Sequence, residues 1–271
     1  SVNNYCENIT MPGVPNVSQT PEAFNDSMTV NGISYPVMHA ARKVYRLQIL
    51  NGSDDRTLSL NLYYAKSSAK LNDGTANPNA TCTGPLWTSA SSTVPNCGDA
   101  GEVAMRPSNP ADPGLQGLVT PDQIQDHAAG VPDQRLAGPD LIEFSSEGGI
   151  LPDLYNVPTT PVGYEFSRQS IVTGNVKQHG LILGPAQRAE VLVDLSAVPS
   201  GSTLILYNDG PAPFPGFDPR FDYYTGAADQ TINGGAPTPL AGYAPNTRTI
   251  MQIQIDGTPG AALDENAFKA S

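Results

Sequence analysis

Residues 181–196, "LILGPAQRAEVLVDLS", read as two strands hinged at Gly184-Pro185, with Arg188, Glu190 and Asp194 set into the second. Successive side chains of a strand point to opposite faces. Ala189, Val191, Val193 and Leu195 therefore share one face, and Arg188, Glu190, Leu192 and Asp194 the other. The charges need not enter a core, and Arg188 and Glu190 can pair with each other or across the sheet. Pro185 has no N–H, which is harmless at a corner between strands. A strand with one apolar and one charged face suits an antiparallel sheet lying over a core.

Further strand signals surround this one. "SMTVNGISYP" places apolar residues on both sides of Asn31-Gly32, a pair that tolerates positive φ, and predicts a tight hairpin over about residues 28–35. "RKVYRLQIL" alternates Tyr45, Leu47 and Ile49 with Arg46 and Gln48, and "TLSLNLYY" repeats the pattern with Leu58, Leu60 and Leu62. "LIEFSS", then "EGGILPD" as a Gly-Gly turn into a short extended piece, "GLIL", "AEVLVDL", "STLILYN" and "RTIMQIQID" complete seven to nine strands bounded by Gly, Pro or Asp. That number suits a two-sheet Greek-key sandwich or flattened barrel.

Composition agrees. The 271 residues include 26 Gly and 26 Pro with 39% hydrophobic residues, which favours many short strands and elaborate turns. A formal charge of −12 would repel phosphate backbones, so nucleic acid is not an expected partner. No run approaches the roughly 20 apolar residues of a membrane-spanning helix, and a soluble chain, mature or cut from something longer, is expected.

The expected organisation is an extended arm over 1–26, a β domain over 27–256 and a linker over 257–271. Residues 65–140 interrupt the domain with Gly, Pro, Asn and Ser. Such a long irregular connection reads as a functional or partner-facing insertion rather than a second core. Within it, Thr120, Pro121, Gln123 and Gly130 frame one short helix over 121–129.

Cys82 and Cys97 enclose a segment with little to pack, where a disulfide would limit the unfolded ensemble by about 3 kcal/mol. That pairing implies an oxidising compartment: extracellular, periplasmic or cell surface. Cys6 is then a free thiol or bonded to sequence outside this chain. Asn8, Asn16, Asn25, Asn51 and Asn79 stand in Asn-X-Ser/Thr glycosylation acceptors.

Candidate chemistry is sparse. A blue copper site needs a thiolate with two imidazoles, and the histidines are His39, His127 and His179. No His-X-His pair occurs, and no His lies between Cys97 and Met105. Zinc-ligand spacings, a nucleophile elbow and phosphate loops are absent too. Asp153 with Glu165 is a carboxylate pair best read as solvated. The loop "DPRFDYY", with Asp218, Arg220 and Tyr223, is a candidate contact for a substrate or a neighbouring domain.

Taken together, "TVNGISYPVMHAARKVYRLQILNGSDDRTLSLNL", "SSEGGILP", "LILGPAQRAEVLVDLS", "LILYNDGPAPFPG" and "TIMQIQI" resemble, in the same order, the middle cupredoxin-like domain of three-domain multicopper oxidases. The bacterial group of spore-coat laccase and bilirubin-oxidase-like enzymes is the most similar. The resemblance covers about residues 21–64 and 141–256, with Arg188 and Asp194 as structural signature residues, and departs at Gln187, where the family usually has Glu.

It implies an all-β, cupredoxin-like domain that binds no copper itself. The copper would be held by flanking domains or companion chains through His-X-His and His-Cys-His motifs. The assembled enzyme would oxidise phenols, other organic donors or metal ions one electron at a time and reduce dioxygen to water. This chain would space its neighbours and lend loops to the substrate cleft, with no catalytic residue of its own. The alternative is a structural or self-assembling extracellular sandwich, or a carbohydrate-binding module, without redox activity.

Overall fold

Asn31 and Gly32 take φ of 53° and 83°, the left-handed pair that a two-residue hairpin requires. They join β1 (Thr29–Val30) to β2 (Ile33–Ser34) where the Asn-Gly signal predicts a hairpin. The computed structural model describes residues 28–65, 103, 105–106, 131–165, 169–172, 175–210, 232 and 248–270. The expected arm over 1–26, the helix over 121–129 and all three cysteines lie outside the described residues.

The alternating strands form two facing sheets, so the all-β sandwich expected from the sequence is what forms. One sheet has the order β12 (Leu181–Leu183), β5 (Leu58–Tyr64), β14 (Thr203–Asn208), β15 (Thr249–Asp256) and β3 (Val37–Ala41). The other runs β4 (Val44–Leu50), β13 (Arg188–Asp194), β8 (Leu141–Ser146) and β9 (Gly149–Val157). All neighbours are antiparallel except β15 and β3. Short pairs β6 (Met105–Arg106) with β7 (Val131–Pro132), and β10 (Gly163–Tyr164) with β11 (Val176–Gln178), lie outside these sheets.

Alternation decides what each sheet buries. Leu60, Leu62, Leu204, Leu206, Ile253 and Ile255 from one sheet meet Leu141, Ala189, Val191 and Val193 from the other in one core. Each large aliphatic side chain so buried contributes about 1.5–3 kcal/mol. Because the chain repeatedly passes from one sheet to the other, losing one inner residue disturbs both layers.

Three expectations need correction. The segment expected as a linker over 257–271 is no plain linker over its described residues 257–270: it lies against the four-stranded sheet and carries a short helix, α1 (Glu265–Lys269), capped by Asp264. "GILPDLYNV" is no short piece but a nine-residue edge strand, β9, in which Pro152 needs no ladder donor on its open side. The hairpin before it turns on Glu147-Gly148, with φ of 52° and 84°, rather than on the two glycines.

The insertion also packs, contrary to the expectation that it forms no core. Val103 is buried with Tyr63, Ala65, Ile205 and Tyr207 in a second cluster on the opposite face of the five-stranded sheet. Leu136, from a 3-10 turn over Gln134–Leu136, enters the main core. Among the described residues no helix is long and apolar enough to cross a membrane.

Candidate functional site

The hinge in residues 181–196 is a sheet-to-sheet crossover, since β12 belongs to one sheet and β13 to the other. Its turn carries Ala186 at φ 63°, a conformation that costs a residue with a Cβ about 1 kcal/mol. Three contacts hold it there. Ala186 N donates to Asn51 O (2.9 Å), Asn51 N to Gln187 O (3.0 Å), and Gly184 N to the Gln187 side-chain oxygen (2.6 Å). Gln187, the departure from the resembled motif, thus supplies an acceptor that a carboxylate could equally provide.

Asn51 completes the corner. Its Nδ2 donates to Arg56 O (2.7 Å) and Leu183 O (3.0 Å), while its Oδ1 accepts from Ser53 N (3.1 Å). The residue is 2% exposed. This corrects the expectation of a glycan acceptor at Asn51, because the amide nitrogen that would carry the sugar is spent inside the fold. Asn8, Asn16, Asn25 and Asn79 lie outside the described residues.

The charges of β13 reach across the sheet rather than to each other. Arg188 donates through its backbone N (2.7 Å) and Nη2 (3.2 Å) to Glu147, fixing that residue in its left-handed turn. Glu190 accepts from Arg46 Nε of β4 (2.7 Å), and Arg46 in turn lies over the Phe144 ring, 5.5 Å from its centre. A shallow groove of about 190 Å³ runs between these pairs, lined by Gln48, Ile49, Leu50, Ser145, Glu147 and Arg188 among others.

Asp194 acts at the other end of the strand. It accepts from Ser196 N (2.9 Å) and Leu263 N (2.8 Å) and so ties the tail to the sheet. Burial alone would raise its carboxyl, but the hydrogen bonds from Leu263 and Ser196 outweigh that and hold it below the usual carboxylate range. Gly260 N donates to Arg42 O (2.6 Å), Lys269 pairs with Asp153 (2.6 Å), and Phe268 meets Phe144 edge-on at 5.2 Å. Leu192 is buried although it shares the outer face with the charges.

A second polar group lies on the outer face of the five-stranded sheet. Asp209 Oδ2 accepts from Tyr63 OH (2.8 Å) and from Asn61 Nδ2 by a short contact, while Asn61 Nδ2 also donates to Thr160 O (2.8 Å). Burial first, then the Asp209 charge and hydrogen bond, push the Tyr63 phenol well above its ordinary value. The nearby Gln134 amide has a smaller, opposite effect. Asn61, Tyr63 and Asp209 were not singled out in the sequence, although an Asn inside "TLSLNLYY" and the "NDG" ending β14 were the available signals.

The remaining candidates stay apart. His39 is exposed on β3, and His179 Nδ1 is spent on Gly180 O (2.6 Å). Asp153 and Glu165 are each held by a lysine, Lys269 and Lys177 respectively. Among the described residues no three His, Cys, Asp or Glu side chains come together as a metal site. The described donors therefore do not fit a copper centre, which needs thiolate and imidazoles converging. Asp218, Arg220, Tyr223, Cys82 and Cys97 lie outside the described residues.

No family model matches the chain, and no curated protein matches it. Solved structures similar to it include the 2F4 variant of the multicopper oxidase McoA from Aquifex aeolicus, at 16% identity and a TM-score of 0.38, over 89% of this chain and 28% of that one. A laccase from Pediococcus acidilactici is similar at 14% identity and a TM-score of 0.33, over 87% of this chain and 23% of that one. The chain thus spans about a quarter of the length of these oxidases.

Proposed function

We propose that this chain is the middle segment of a multicopper oxidase, a cupredoxin-like domain that carries no copper of its own. It would hold two copper-bearing neighbours at a fixed separation and lend loops to the substrate cleft between them. One observation carries the reading. The motifs on which the resemblance rests provide both faces of the core, the crossover at Gly184–Gln187 with its Asn51 bracket, and the Glu147 turn that Arg188 braces. A scaffold needs such rigidity at its corners more than it needs reactive groups.

In the assembly, the copper of the flanking domains or companion chains would accept electrons one at a time from phenols, other organic donors or metal ions and deliver them to dioxygen. The loop with Asp218, Arg220 and Tyr223 is our candidate for contact with substrate or with a neighbouring domain. We place the protein outside the cytoplasm, extracellular, periplasmic or on the cell surface, on the expected Cys82–Cys97 bridge.

Metal analysis of the purified chain after incubation with copper tests the proposal. The expected result is far less than one copper per chain, with dioxygen consumption appearing only when companion chains or domains are supplied. Stoichiometric copper bound by the chain alone would overturn it. The structural, self-assembling alternative has its own observation in the exposed Ile150 and Tyr155 of the edge strand β9. An ordered copper-free homopolymer would decide for that alternative.

A further inference from the structure

Tyr63 is fully buried, and its phenol donates to a carboxylate that is itself buried. A buried phenol needs one acceptor, which a backbone carbonyl supplies at less cost than a charged group. Here the acceptor is Asp209, at 2.8 Å and 3% exposure. Asn61 donates to the same carboxylate oxygen. The ring is enclosed by Ala65, Val103, Ile205 and Tyr207, and the Tyr207 ring stands edge-on at 5.8 Å.

Removing an electron from a phenol makes its proton strongly acidic, so oxidation is easiest where a base already holds that proton. In water the solvent takes it. At a site closed to water the base must be built in, and the orientation fixed beforehand. From this arrangement we infer that Tyr63 and Asp209 form a proton-coupled redox site, at which Tyr63 is reversibly oxidised to a neutral tyrosyl radical. The electron passes to a high-potential one-electron oxidant, which is reduced by one unit. The phenolic O–H bond breaks and a new O–H bond forms on Asp209, leaving a neutral phenoxyl beside a neutral carboxylic acid. A reductant returning one electron reverses both transfers. The ring itself stays uncharged in both states, because electron and proton leave it together, and the charge of the reduced state rests on Asp209, which accepts from Tyr63 and Asn61. Tyr207, in van der Waals contact, is the next ring to which the electron vacancy can move.

This inference stands apart from the copper reading, and its test uses the chain by itself with tris(bipyridine)ruthenium(III), generated by a light flash in the presence of a sacrificial quencher. Freeze-quenched samples are read by electron paramagnetic resonance. The expected result is a long-lived tyrosyl signal that Tyr63→Phe removes, that Asp209→Asn greatly reduces, and that is unchanged by Tyr155→Phe at the exposed edge strand. A signal indifferent to Tyr63→Phe would overturn the inference.

Where a substitution prevents folding, the unaltered chain still decides the matter. With Asp209 as proton acceptor, the rate of radical formation at neutral pH is independent of buffer concentration. It also slows in deuterium oxide. A rate that climbs with buffer base would show that the proton leaves to solvent, and the assignment to Asp209 would fall.

Discussion

Asn51 shows how much one buried side chain can hold. It bridges the turn after β4, the end of β12 and the crossover into β13, and its amide hydrogens are the partners of two carbonyls, Arg56 O and Leu183 O. Asn51→Ala takes one donor from each carbonyl, leaving Arg56 O with Ser53 Oγ at 2.8 Å. The expected loss is about 2–3 kcal/mol, read as a shift in the urea midpoint without a change in slope. Gly180 is equally constrained, since a Cβ there would fall 2.2 Å from Asn61 Oδ1 and 2.4 Å from Leu60 O. Gly180→Ala is expected to cost about 1–3 kcal/mol or more by overpacking, in the same measurement. Neither residue was legible as structural in the sequence: Asn51 stood in a glycosylation motif and Gly180 only opened the strand signal "GLIL". Hydrogen bonds between residues more than a hundred positions apart leave no local periodicity to read. Asn31-Gly32 was legible because its signal is the backbone conformation itself.

At the level of elements, alternation in β4, β5 and β13 named the residues that face the main core, and only in β4 does it also mark a boundary between core and solvent, since β5 is buried on both faces and Leu192 of β13 is covered. The tail was misread. "GTPGAALDENAFKAS" has little apolar content of its own, and only the complete sheet shows Leu192 and Phe144 awaiting cover. Deleting residues 257–271 exposes that strip. The sandwich is expected to stay folded with about 1–3 kcal/mol less stability, the Phe268–Phe144 contact accounting for about 0.5–1.5 of it. The docking also has an acid limit. Because Asp194 is held below its ordinary value in the folded state, its contribution is present above about pH 3.9 and is lost as pH falls through the lower folded value. The protection factor at the Leu263 amide should therefore be high at neutral pH and fall only below about pH 4, and Asp194→Ala should lower it throughout. By contrast, Arg188 and Glu147 are both about half exposed, so their side-chain pair is expected to add no more than about 1 kcal/mol. Arg188→Ala should test as nearly neutral in stability, its backbone N still donating to Glu147.

For the molecule as a whole, the five-stranded sheet buries residues on both faces, one set against its partner sheet and the other, Tyr63, Ile205 and Tyr207, with Ala65 and Val103. Composition hid the second. Across 65–140 the apolar residues are scattered, so no period marks Val103 as the one that reaches the cluster of Tyr63, Ile205 and Tyr207. Among the described residues, Val103 in this cluster and Leu136 in the main core anchor the insertion to the sandwich by apolar contact. They differ in what depends on them. Leu136 packs among residues that hold the two sheets together, whereas Val103 serves only the outer cluster. Placing a carboxylate at Val103 puts an unpaired charge among apolar side chains, and release of the segment costs less than burying that charge. Val103→Asp is therefore expected to open residues 66–130 to limited proteolysis while the cleaved sandwich keeps its far-ultraviolet circular dichroism. Leu136→Asp should instead lower the stability of the entire domain. If both variants unfold together at the same denaturant concentration, the insertion and the sandwich are a single cooperative unit. If they separate, the second cluster is a clasp that can open on its own, and the buried pair of Tyr63 and Asp209 lies directly beneath it.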